Sequence, residues 1–141
     1  MNASGPVSAI RVQSALLARE YEATATGDSL IGVFTSVTPL GNLDDGRWSE
    51  TDCYVFLQLF GAQQGDAIEL HLVDGDDQRL QKYSFRLERG FNPTTPWLPY
   101  GAVLPLRIPH YTYGPHRLVI DHVGVELGNI PFDVRPMPRP F

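Results

Sequence analysis

His110, His116 and His122 recur at six-residue intervals, with Tyr111 and Tyr113 among them. Imidazole nitrogens are common transition-metal ligands, and residues of equal parity share one face of a strand, so these histidines are where a metal-dependent enzyme would be built. Reach argues against it. Along one straight strand His116 and His122 stand about 20 Å apart at ~3.3 Å per residue, too far to share an ion without a bend. His116 instead falls in line with Leu118 and Ile120, which predicts a core-edge histidine bonded to a backbone carbonyl. Asp74, Asp76 and Asp77 offer the hard oxygen ligands of a Ca²⁺ loop. The run lacks the glycine at the sixth position and the glutamate at the twelfth that such a loop requires, and a plain hairpin turn is expected.

Nucleophilic chemistry has no support either. Cys53 opens an apolar run, where a cysteine packs as a small hydrophobe. Ser29, Ser36, Ser49 and Ser84 lack the Gly-x-Ser-x-Gly elbow, and Asp44-Asp45 lie in a loop beside Gly46, where solvation explains them. Neither a phosphate-cradling glycine loop nor a zinc-ligand spacing is present. The expectation is a protein that is not an enzyme and uses no cofactor or metal.

The elements that would position any site are strands. Ile68 to Leu72 and Lys82 to Glu88 alternate apolar and polar residues around Asp74-Gly75, which makes a hairpin. Ser29 to Val37 is a β-branched run bounded by Gly27-Asp28 and Pro39, and His116–Asp121 pairs with Val125–Val134. Residues 8–22 have helix-favouring Ala, Leu, Arg, Gln and Glu content, so composition alone selects a helix there. Residues 89–109 carry Pro93, Pro96, Pro99, Pro105 and Pro109 and read as a long extended loop or edge strand, and the Pro-alternating tail 135–141 as a polyproline-like arm. Six or seven strands without strand–helix alternation predict an all-β antiparallel sandwich.

With 141 residues the chain makes one domain, and 43% hydrophobic content is enough for a core. A net charge of −5 argues against nucleic acid. No run approaches eighteen apolar residues, which excludes a membrane-spanning helix. One cysteine and an N-terminus without a basic and apolar leader suit a reducing, cytoplasmic setting. Asn2-Ala3-Ser4 matches a glycosylation sequon, best read as chance.

Residues 16 to 34 resemble an uncharacterised bacterial family of small immunoglobulin-like β-sandwich proteins. The likeness rests on Leu16-Leu17-Ala18-Arg19-Glu20-Tyr21, the turn Thr26-Gly27-Asp28 and the strand Leu30-Ile31-Gly32-Val33-Phe34. It continues through the Asp74-Gly75 hairpin, Gly114-Pro115-His116 and the closing Pro131-Phe132-Asp133-Val134. The resemblance implies an immunoglobulin-like β-sandwich of about seven strands over 15–134, between an extension at 1–14 and the tail at 135–141. It tips residues 15–21 toward a first strand and carries no activity.

Cys53 to Phe60 is apolar on both faces: Cys53, Val55, Leu57 and Leu59 on one, Tyr54, Phe56 and Phe60 on the other. A domain this small cannot cover both sides of every sheet. Either the Pro-rich loop, with Phe91, Trp97 and Tyr100, folds over the second face, helped by Trp48, or another chain does. The residues expected to make contact are Tyr54, Phe56, Trp97 and Tyr100, since aromatic side chains dominate interface hot spots. The sequence therefore reads as a non-catalytic binding or assembly module that meets a protein partner or itself, as in a larger particle. A carbohydrate-binding module using Trp and Tyr platforms is the alternative.

Overall fold

In the computed structural model the described residues are 9–25, 27–46, 49–88 and 97–138. Nine strands form two sheets: β1 (Arg11–Thr24), β2 (Gly27–Phe34), β3 (Ser36–Val37), β4 (Ser49–Phe60), β5 (Ala67–Val73), β6 (Arg79–Arg86), β7 (Tyr100–His110), β8 (Gly114–His122) and β9 (Val125–Val134). The first sheet runs β2-β1-β4-β7 and the second β3-β9-β8-β5-β6. All neighbours are antiparallel except β3, which runs parallel to β9 through Ser36↔Asp133 and Val37↔Val134. The chain changes sheets between β2 and β3, between β3 and β4, between β4 and β5, between β6 and β7 and between β7 and β8. Among the described residues no helix is long and apolar enough to cross a membrane.

Two expectations need correction. The helix that composition favours over 8–22 is the long strand β1, paired with β2 and β4 on its two edges. Its Leu17 and Ala18 are both buried, one on each face, and pairing with a strand on each edge overrides helix propensity. The long Pro-rich loop is shorter than expected, because residues 100–110 take the other form read for this segment, an edge strand, and make β7 in unbroken register with all but the last residue of β4. Residues 89–96, with Phe91, and Trp48 lie outside the described residues.

The core lies between the sheets. Cys53, Val55, Leu57 and Leu59 of β4 face Ile68, Leu70 and Leu72 of β5 and Leu118 and Ile120 of β8, all of them buried. The predicted 68–72/82–88 hairpin has the register Ile68↔Phe85 and Leu70↔Tyr83. At its turn the Asp74 carboxylate accepts from the amides of Asp76 and Gln78, both at 2.9 Å, so its Oδ1 serves the loop itself.

Candidate interaction surface

The two-faced character of β4 is as the alternation predicts. Its odd residues are in the core, while Tyr54, Phe56 and Phe60 stand half-buried on the outer side of the four-stranded sheet. Residues directly opposite each other share a face, so the register gives the rest of that surface. Leu16 lies opposite Phe56, Ala18 opposite Tyr54 and Val33 opposite Ala18. Val103 lies opposite Phe56 and Pro105 opposite Tyr54. Ile31, opposite Glu20, continues the surface toward the β2 edge. Ala18 is fully buried within it, whereas Ile31 (44%) and Val33 (52%) are exposed, as is Leu16.

Charged groups sit at the ends of this apolar band. Arg11, opposite Phe60, holds its guanidinium 5.9 Å from that ring. At the other end Arg107 pairs with Asp52 at 2.8 Å and Glu50 at 3.1 Å. Beside them a groove of about 650 Å³ is bounded by Arg19, Glu20, Tyr21, Asp52, Tyr54 and Arg107. The Tyr21 and Tyr54 rings meet there, tilted, at 6.1 Å.

The four residues singled out from sequence do not form one patch. Tyr54 and Phe56 share the outer face. Tyr100 lies opposite Leu59, which puts it on the core side, packed against the core. It meets Tyr54 only along a groove of about 610 Å³ between the edge strands β6 and β7, which Phe85 and Leu104 also line. Trp97, 68% exposed, stands in the turn before β7. Leu16, Ile31, Val33 and Val103 are the members that sequence reasoning missed. The signal was there in Ile31-Gly32-Val33, whose two apolar residues share parity.

Other candidate chemistry is bound up in structure. Burial, and then the charge of Asp52, push the Cys53 thiol up to about 12, far from a reactive thiolate. His116 is buried, stacked on Phe132 at 5.5 Å, and its Nδ1 bonds the Gly114 carbonyl at 2.9 Å, as its place in line with Leu118 and Ile120 predicts. His71, on β5 beside β8 in the same sheet, is buried between Glu69 (3.4 Å) and Asp121 (3.2 Å).

No protein-family model matches the chain, and no curated relative matches it. Among solved structures it is similar to an immunoglobulin-like protein from Pseudomonas aeruginosa, with 22% identity over 93% of this chain and 100% of that one and a TM-score of 0.49. The chain's own connectivity gives the architecture. β1-β4-β7 stand as strands A, B and E of one sheet and β5, β8 and β9 as C, F and G of the other, with β6 added beside C. By that strand order the protein is an immunoglobulin-like β-sandwich.

Proposed function

We propose that the protein is a non-catalytic assembly module that associates with a second copy of itself through the outer face of the four-stranded sheet. The observation that carries this reading is the apolar band of Leu16, Ile31 and Val33, exposed and continuous with Tyr54, Phe56 and Val103. Contiguous apolar surface on a sheet face stays in water only at a cost, and another apolar sheet packed about 10 Å away removes it. The charges suit a self-complementary contact. Arg11 lies five residues before Leu16 on β1, and Glu20 and Glu22 lie four and six residues after it. A two-fold axis near Leu16 therefore brings Arg11 of one copy toward the glutamates of the other. A sugar platform built from Trp97, Tyr100 and Tyr54 has less support, because these rings occupy different surfaces.

The test is sedimentation velocity over a concentration series of the wild type and of Ile31→Glu and Val33→Glu. The wild type is expected to dimerise, and each charged variant to weaken dimerisation by about tenfold or more, with the wild type's unfolding temperature at concentrations where both are monomeric. A wild type that stays monomeric at every concentration, or variants that dimerise as well as it does, would overturn the proposal.

A further inference from the structure

Three buried polar atoms gather at the end of the core where β7 hands over to β8. Ser49 and His110 are directly opposite each other on β4 and β7, on the inner face. His116 points into the same interlayer space from β8, in step with buried Leu118 and Ile120, and only residues 111–113 separate the two strands. Both rings are more than nine-tenths buried. Among the described residues Ser49 Oγ, His110 Nδ1 and His116 Nε2 each lack a hydrogen-bond partner, so neither ring nitrogen reaches the other directly. Leaving three such groups unsatisfied would cost a large share of a small domain's stability.

The remaining bonds fix what the group can accept. The Gly114 carbonyl only accepts, so His116 carries its proton on Nδ1 and presents a lone pair at Nε2. His110 Nε2 lies 2.7 Å from Thr51 Oγ1, a hydroxyl that can accept its proton or donate its own, so Nδ1 is an acceptor in one tautomer and a donor in the other. His116 Nε2 is then an acceptor, the Ser49 hydroxyl can donate or accept, and His110 Nδ1 takes the role that its tautomer sets, with no carboxylate among the three residues. A divalent cation would lie there uncompensated. We infer that Ser49, His110 and His116 form an internal site for one water molecule, which donates to His116 Nε2 and hydrogen-bonds His110 Nδ1 and the Ser49 hydroxyl. A buried water typically makes about three hydrogen bonds to groups of this kind.

The test uses the wild-type protein. It is crystallised with and without added zinc at a resolution that places ordered solvent, and long-range ¹H–¹⁵N spectra assign the histidine tautomers. The expected result is one solvent peak within hydrogen-bond reach of all three atoms, without anomalous signal in either crystal, and an Nδ1–H tautomer at His116. An empty site, a direct bond between the two rings, a zinc peak, or an Nε2–H tautomer at His116 would each overturn the inference.

Discussion

His110 makes the protein's acid stability calculable. Burial first, and then the neighbouring His116 ring, lower its pKa from the usual 6.5 to about 4. Above pH 6.5 neither the folded nor the unfolded chain protonates it, so it leaves stability unchanged. Between 6.5 and 4 the unfolded chain takes the proton that the folded chain refuses, and stability falls as pH falls. Below about 4 both states carry it and the loss levels off. At 1.36 kcal/mol per unit, the gap amounts to roughly 3 kcal/mol, or about 10 °C of unfolding temperature for a domain of this size. The assay is urea unfolding of the wild type and of His110→Gln at pH 7, 5.5 and 4. The variant keeps an amide for Thr51 but has nothing to titrate, and carboxylate contributions common to both proteins cancel. The wild type should lose roughly 3 kcal/mol more than the variant between pH 7 and 4. Equal losses in the two proteins would refute the reasoning.

Cys53, 3% exposed and with its thiol pushed up to about 12, should resist iodoacetamide in the folded protein and react fully only in denaturant, as mass spectrometry will read. Gly61→Ala should cost roughly 2 kcal/mol or more in urea unfolding, since φ there is +76° and an added Cβ runs into the Ala9 carbonyl oxygen. Val123 and Gly124 form the two-residue β8–β9 turn with φ of +47° and +78°. That conformation suits Asn-Gly, so Val123→Asn should raise stability by about 1 kcal/mol, and a lower melting temperature would count against this account.

The hairpin of β5 and β6, the pairing of β8 with β9 and both faces of β4 were legible because alternation reports a strand's two sides directly. β1 was not legible from composition, because Leu, Ala, Arg and Glu suit a helix locally and pairing with β2 and β4 makes the extended form win; the family resemblance pointed to a strand over 15–21. β7 was half legible, because Pro105 and Pro109 fit a loop or an edge strand alike and only the pairing with β4 decides for the edge. The outer-face residues Leu16 and Val103 could be found only from register, since each becomes part of the surface by standing opposite Phe56. His110 looked like one member of a spaced histidine series. Its burial follows from ending β7 on the inner parity of Leu104, Leu106 and Ile108, a parity unreadable while the segment passed for a loop.

The prolines that obscured β7 also bear on how copies of the protein can meet. Proline donates no ladder bond, so Pro105 and Pro109 must occupy positions whose nitrogens point away from β4. By alternation Arg107 between them also turns its backbone outward, and its carbonyl accepts from the Tyr83 hydroxyl at 2.6 Å. The free edge of β7 thus lacks two of its outward donors and has one acceptor engaged, a poor template for another strand. At the opposite edge of the sheet, Gly32 of β2 adopts φ +69° against the Arg19 side chain, which breaks the extended backbone midway. Pro131 sits in the same way on β9, where Asp133 and Arg135 direct their amides to β3 and Pro131 has none to direct. With these three edges blunted, strand-to-strand addition along them is disfavoured. Among the described residues the apolar outer face of β2-β1-β4-β7 carries no comparable obstruction, and that contrast favours association through the face rather than along the edges of β2, β7 or β9.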